Sequence, residues 1–437
     1  MSTSVPCKSN EVEIALFCAL ELEYDALHDL LERSWTNDDL QWTKNEGDTN
    51  AYSRGILGGH EVVIVHLPGI GVKDSTTAAV NLKRSFPKVR LAIVNGICGG
   101  VPMDQNGGRQ IFLGDVLIST GLVQHDYGTL LDHGVTRADS LADALARPGL
   151  ELRSFLSLLQ TTSAHKALIR SVTSTLQSHV LIKPTPGTDQ LYPAGYPHRH
   201  RLPGEFCEAC EGGNDSCSRA RELTCEDVGC EWWFANPRSA RCTSSDGITS
   251  TPQVHFGRLG SGSAVIRSAV RRDEIAFRDG LIGFEMEGAG VWDVLPCLVV
   301  KSVCDYADSH KTKTWQKYCA AAAAAAVKAL LERWTRTLQY QALTREPSSL
   351  EAQKMRFRKD TVRPRQNRST NVHWMVDRPV NTLFTGRNGL LERIMHTFRE
   401  ELDKTQPETP CRVVIHGMGG QGKSELCLRA VNNLRPL

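Results

Sequence analysis

The chain has 437 residues, 51 basic and 49 acidic side chains, and a formal charge of +2. That length sets an expectation of about three domains, at roughly 150 residues each. Together with 41% apolar residues, it excludes collagen-like, wholly disordered and small disulfide-scaffold chains, and the balanced charge gives no reason to expect nucleic acid or membrane as a general partner.

No apolar run approaches the roughly 20 residues that a transmembrane helix needs. The first apolar run, Ile14 to Leu20, is short and flanked by Glu11, Glu13, Glu21 and Glu23, unlike a secretory signal. The chain therefore reads as intracellular and cytoplasmic, with most of its 14 cysteines reduced.

In chain order, Glu13 to Ala19 is the first predicted buried strand, followed by a helical pattern from Leu22 to Leu31. Glu61 to His66 is a second strand, Ser75 to Phe86 a helix, and Val89 to Val94 a strand ending in Asn95-Gly96. Asp115 to Ser119 and Leu298 to Val303 are further strands, and Cys319 to Leu343 is a helix containing seven consecutive alanines. Alanine is the best helix former, and its small side chain lets a helix approach a sheet closely. The alternation predicts an α/β domain with a parallel or mixed sheet. Ligands then sit beyond the carboxyl ends of the strands, where Glu21, Glu23, Asn95-Gly96 and Asp305 fall.

Residues 183–252 interrupt this pattern with Pro, Gly, Cys and Arg, and read as a loop-rich insert. Arg345 to Arg368 holds eight basic and three acidic residues and reads as part of a solvated linker, 344–380.

Four stretches carry chemistry. They are Cys18-Ala19-Leu20-Glu21-Leu22-Glu23-Tyr24; the pair Pro68-Gly69-Ile70-Gly71-Val72-Lys73 and Asn95-Gly96-Ile97-Cys98-Gly99-Gly100-Val101; Gly283-Phe284-Glu285-Met286-Glu287-Gly288-Ala289-Gly290; and Ser302 to Lys311. Gly-rich turns bring backbone N–H groups close to an anion or a ligand oxygen.

With these motifs in this order, the sequence resembles the purine nucleoside phosphorylase/uridine phosphorylase superfamily, in its nucleosidase branch. It is most similar to the variant found at the N-terminus of fungal NLR-type immune and incompatibility receptors. The resemblance spans about residues 11–343 apart from the insert, and implies a three-layer αβα fold around a twisted mixed sheet. It implies that Glu23 deprotonates the attacking water and that Glu287 grips the ribose hydroxyls, with Met286 against the sugar and Glu285 in support. It implies that Asp305 protonates N7 of a purine. Gly71, Gly96 and Ile97 line the ligand, and Val265 and Ile266, after Ser261-Gly262, match the strand lining the base pocket. Relatives carry an aromatic residue where Val265 stands. Self-assembly into a homo-oligomer is also implied, and no cofactor or metal is.

The chemistry requires these residue types. A purine anion is a poor leaving group, so N7 must gain a proton while the sugar becomes cationic. Asp305 must carry a proton for this, which burial beside an apolar strand would favour, while Glu23 must accept one. His310, Lys311 and Lys313 could reach a substrate phosphate, though a charged loop is the simpler account, and a triphosphate would call on Lys73, Lys311 and Lys313 as cationic partners. Phosphorolytic relatives carry a Gly-Asp-Pro-x-Arg-type phosphate turn, whereas here Leu20-Glu21-Leu22-Glu23 follows the first strand. Ile97 stands where relatives often have Ser or Thr. Both departures favour water as nucleophile. The expected activity is N-glycosidic hydrolysis of an adenine nucleoside or nucleotide, with ATP to adenine and ribose 5-triphosphate as the receptor-associated version. The competing readings are phosphorolysis and a catalytically silent binding or assembly module.

Cys411 to His416 is a strand pattern, and Gly417-Met418-Gly419-Gly420-Gln421-Gly422-Lys423-Ser424 opens a helix. This is the phosphate-loop signature in its strand–loop–helix context, with Gly417, Gly422 and the helix N-terminus cradling phosphates, Lys423 reaching the outer ones and Ser424 ligating Mg²⁺. Phe384-Thr385-Gly386-Arg387 resembles the entry to NB-ARC/STAND nucleotide-binding domains. Residues 381–437 then form an incomplete P-loop domain, and Mg-nucleotide binding is expected only of a complete one.

In the insert, Cys207-x2-Cys210 is a close pair, with Cys217, Cys225, Cys230, Cys242, His198 and His200 nearby. A zinc ribbon usually has a second close pair, and Cys225-x4-Cys230 is wider. The further cysteines could complete a zinc tetrad with that pair, but the favoured expectation is a cysteine-rich, poorly ordered loop without metal, in a position that could form a lid.

Overall fold

The β1 strand, Ile14–Cys18, alternates its side chains between two faces, and both faces are buried. Ala15 and Phe17 enter one hydrophobic cluster, whereas Ile14, Leu16 and Cys18 enter the other. This two-sided burial is why the sequence reads as a continuous apolar run rather than an alternating one. In our computed structural model the described residues are 11–35, 44–104, 108–131, 134–140, 143–178, 184, 188–202, 207–211, 216–238, 251–335, 388–402, 426–427 and 430. They fall into two compact units, Met1–Gln339 and Tyr340–Leu437.

The strands of the first unit are β1, β2 (Arg33–Trp35), β3 (Ala51–Leu57), β4 (His60–His66), β5 (Leu91–Gly100), β6 (Val116–Gln124), β7 (Gly128–Leu131), β8 (Gly134–Arg137), β9 (Gln190–Leu191), β10 (Asn236–Pro237), β11 (Val254–Ser261), β12 (Leu281–Glu285) and β13 (Cys297–Asp305). Nine of them form one mixed sheet in the order β12-β11-β6-β13-β5-β1-β4-β3-β2. Strands β1, β4, β5 and β13 run parallel, whereas β6 is antiparallel to β13. The sheet also curls until β12 pairs antiparallel with β5, Gly283 opposite Gly100 and Phe284 opposite Gly99. Glycine is required at this seam, because a Cβ on Gly283 would lie 2.5 Å from Leu117 and 3.0 Å from the Gly99 carbonyl.

Helices cover both faces. On one lie α2 (Val72–Ser85) and α7 (Gly288–Trp292), whose Ala78, Ala79, Leu82, Val291 and Trp292 pack against Phe17, Val65 and Val94. On the other lie α1 (Glu21–His28), α3 (Leu150–Leu159), α4 (Thr162–Ser178) and α8 (Gln316–Leu331). The alanine run Ala320–Ala326 is wholly buried in α8, as a helix lying directly on a sheet demands. The three-layer αβα expectation holds. Among the described residues no helix is long and apolar enough to cross a membrane.

Three expectations are corrected. Asn95-Gly96 does not end its strand, since β5 continues to Gly100, and the motif Asn95 to Gly100 is therefore strand rather than turn. Val265 and Ile266 follow β11 in the segment leading to α6 (Ala269–Asp279) and do not belong to a strand. The described part of the insert is not a shapeless loop. It carries a short helix, α5 (Glu208–Glu211), two 3₁₀ turns and a small core of Cys210, Ala220 and Val228.

In the second unit the described residues include a helix, Asn388–Leu402, and a cluster of Leu391, Ile394, Leu426 and Ala430. The linker 344–380, Phe384 to Arg387 and the phosphate-loop residues Gly417, Gly422, Lys423 and Ser424 lie outside the described residues.

Candidate active site

The carboxyl ends of β5, β12 and β13 and the start of α1 surround a cleft of about 250 Å³. Glu23, Ile97, Glu285, Met286, Glu287 and Asp305 all line it, and so do Val265 and Ile266. Residues 282 positions apart in the chain, from 23 to 305, thus share one cavity. Gly71 and Gly96, expected to line the ligand, are not in the cleft wall: Ile70 stands there beside Gly71, and Gly96 packs under Glu23.

Glu23 stands in the first turn of α1 and is 2% exposed. Its Oε2 accepts N–H bonds from Ala19 at 2.9 Å and Leu20 at 3.0 Å, and its Oε1 accepts one from Ile97 at 2.8 Å. Gly96 makes this possible, since a Cβ there would overlap the Glu23 carboxylate. A carboxylate offers about four lone-pair sites. Three are taken by N–H groups of fixed position, which leaves about one for a further donor such as water. Sequence reading identified the acid and the glycine but not that one exists to admit the other.

Glu287 lies between β12 and α7, and its Oε2 accepts a 2.8 Å hydrogen bond from Lys301 Nζ. Both side chains are almost wholly buried, at 5% and 1% exposure. Burial by itself would depress the Lys301 ammonium, but the charges of Glu287, Glu23 and Glu285 outweigh it and hold the lysine above its ordinary value. Lys301 is thus the shared counter-ion beneath three acids. Sequence reading missed it, although a lysine within the apolar run Leu298 to Val303 was the available signal.

Glu285 supports from below. Its Oε2 accepts N–H bonds from Glu287 at 3.1 Å and Gly288 at 2.8 Å, fixing the turn that presents Glu287. Burial pushes its carboxyl upward, Lys301 opposes this, and Glu287 adds to it.

Asp305 ends β13. Its Oδ1 accepts from the Ala307 N–H at 2.8 Å and from Lys311 Nζ at 2.6 Å, and Oδ2 lies 3.5 Å from Cys304 Sγ. Lys311, read from sequence as a loop charge, is therefore bound to Asp305 and forms part of the cleft wall. Lys73 and Lys313 are not in that wall, whereas Arg267, which the sequence did not single out, is. Cys98 and Cys304 also line the cleft, and burial raises both thiols far above their ordinary range, so neither is an activated nucleophile.

The aromatic face absent at Val265 is supplied by other residues. Phe284 and His125 line the cleft and pack edge to face, with ring centroids 5.6 Å apart. Burial lowers the His125 imidazole, Asp126 and Asp279 oppose the shift, and Arg278 reinforces it. The ring is therefore neutral near pH 7. Because the folded state holds this proton less tightly than the unfolded one, stability should fall as pH drops below the ordinary histidine value of about 6.5. His125→Gln should remove that component, flattening the change in urea midpoint between about pH 7.5 and pH 5.5. An unchanged profile would mean that His125 titrates normally.

A curled mixed sheet thus lies between helical layers, with acids gathered at its strand ends. In sequence, residues 13–158 match the phosphorylase superfamily. A curated relative, a nucleotide-binding leucine-rich repeat (NLR)-like protein from Hyaloscypha variabilis, is 28% identical over 440 residues. The match takes in 97% of this chain and 37% of the relative, so the chain spans little more than a third of that protein. Among solved structures, the chain is similar to the 5′-methylthioadenosine/S-adenosylhomocysteine nucleosidase of Neisseria meningitidis, with 16% identity over 74% of this chain and 99% of that one and a TM-score of 0.43. The futalosine hydrolase of Helicobacter pylori is comparable, with 15% identity, 74% and 98% coverage and a TM-score of 0.43.

Proposed function

We propose that the cleft hydrolyses the N-glycosidic bond of a purine nucleoside or nucleotide, with adenine as the base. The carrying observation is the convergence of Glu23, Glu287 and Asp305 on one cavity. On this reading Glu23, with three N–H donors fixing its carboxylate, uses its remaining lone pair to orient a water and take its proton. Glu287, backed by Lys301, grips the ribose hydroxyls as the sugar becomes cationic. Asp305 passes a proton to N7: with Lys311 paired to its Oδ1, that proton must first be taken up from solvent on Oδ2, which lies 3.5 Å from Cys304 Sγ and turns to the base.

The base lies between Ile266 and the Phe284–His125 pair. Arg267, at the cleft wall, meets a 5′-phosphate where one is present. ATP, giving adenine and ribose 5-triphosphate, is the substrate we put first, in keeping with the NLR-like name of the relative. The domain would then be the effector of such a receptor.

The test is a panel of nucleosides and nucleotides, with and without phosphate, read by chromatography for free base. Wild type should release adenine without phosphate, and Asp305→Asn should lower kcat by about 10²–10⁴-fold. Strict phosphate dependence would indicate phosphorolysis. No release from any substrate, or equal release by Asp305→Asn, would remove the proposal.

A further inference from the structure

We propose that the insert is a two-zinc module whose second ion ties it to the loop following Asp305. The insert brings seven soft donors into two groups, His200 with Cys207, Cys210 and Cys217, and His198 with Cys225 and Cys230, and within each group the ligand atoms lie within 4.8 Å of one another.

The first group has the edge lengths of a zinc tetrahedron. Bonds of about 2.3 Å to sulfur and about 2.05 Å to nitrogen place sulfurs about 3.8 Å apart and sulfur and nitrogen about 3.6 Å apart. Here Cys207 and Cys217 Sγ are 3.9 Å apart, and His200 Nδ1 is 3.5 Å from Cys210 Sγ and 3.7 Å from Cys217 Sγ. The remaining separations in the group are within 4.8 Å, although no CxxC pair matches the first in sequence.

The second group repeats the pattern. His198 Nδ1 is 3.6 Å from Cys225 Sγ and 3.4 Å from Cys230 Sγ. Its Nε2 faces the carbonyls of Ala220 and Leu223 at 2.9 and 3.2 Å. That bond fixes the N–H on Nε2 and turns the Nδ1 lone pair toward the sulfurs, which is how a metal-ligating histidine is oriented. We assign the fourth position to His310, which neighbours Cys230 but stands outside the three-residue group whose ligand atoms lie within 4.8 Å of one another, so it must swing in to bind. Its side chain is 5% exposed, its Nε2 has no hydrogen-bond partner, and its ring stacks on Tyr192 with centroids 3.9 Å apart. A buried imidazole nitrogen without a partner costs free energy unless something coordinates it.

Soft thiolates with imidazoles in tetrahedral arrangement select zinc among divalent ions. Binding involves no redox step: each thiol gives its proton to solvent as its sulfur bonds the metal. The first site is then Cys₃His and the second Cys₂His₂. His310 lies five residues beyond Asp305, and the neighbouring Ser309 hydroxyl accepts the His198 N–H at 2.9 Å. The second ion would therefore anchor the loop that also carries Lys311. The metal sites stand whatever the cleft does; only the anchoring effect on turnover rests on the functional reading above.

The experiment is elemental analysis of the full chain, as purified and after reconstitution with Zn²⁺, together with mass spectrometry of its thiols. Two zinc per chain are expected. Cys217→Ser should lose one and Cys230→Ser the other, His310→Ala should weaken the second site at least tenfold in chelator competition, and the core variant Cys297→Ser should keep both. Fewer than two equivalents of zinc after reconstitution, an iron–sulfur signature, or disulfides among the five ligand cysteines would overturn the proposal. Because wild type alone decides stoichiometry, a variant that fails to fold does not rescue it.

Discussion

Replacing Lys301 by Met should destabilise the N-terminal domain by about 3–5 kcal/mol, because removing one partner of a buried ion pair leaves the other charge uncompensated. The side chain is 1% exposed, and Glu287 Oε2 is 2.8 Å from its ammonium. The charges of Glu23 and Glu285 also act on it. Methionine fills the volume but supplies no positive charge, so the acids must take up protons or water must enter. A urea titration near pH 7 measures the loss. The double variant Lys301→Met with Glu287→Leu separates charge from packing, and should recover much of the stability, since a buried pair replaced by apolar residues is often near neutral. A single variant within about 1 kcal/mol of wild type would mean that this lysine is not the common counter-ion.

Replacing Glu23 by Gln should lower turnover by about 10²–10⁴-fold while leaving substrate affinity nearly unchanged. The amide cannot take a proton from water. It also cannot satisfy the pocket, because Ala19, Leu20 and Ile97 all present N–H donors and one end of glutamine is itself a donor. Glu23→Asp tests the geometry separately: it keeps the charge but withdraws the oxygens by one methylene from three backbone donors. It should fall between wild type and Gln. Equal turnover by all three would remove Glu23 from the reaction.

The αβα class was legible because β1, β4, β5, β6 and β13 are short apolar runs separated by helical patterns, and two-sided burial writes itself into composition. The stretches around Glu23, Glu285–Glu287 and Asp305 were legible too, since acids beside glycines at strand ends are unusual. Less legible were elements whose identity depends on neighbours. Strand β5 runs through Asn95-Gly96 because β13 pairs with it on through that point, which outweighs the local turn signal. Val265 and Ile266 line the cleft from a connecting segment rather than a strand.

Local composition and spacing determined that this chain folds around a buried mixed sheet and which carboxylates stand at its strand ends. Only the tertiary structure decided what those groups meet: Lys301 beneath the acids, Lys311 on Asp305, and the insert histidines and cysteines gathered into two clusters. The physical reason is range. Periodicity and propensity act over a few residues, whereas an ion pair or a ligand set is fixed by distances between segments that the sheet's pairing order alone brings together.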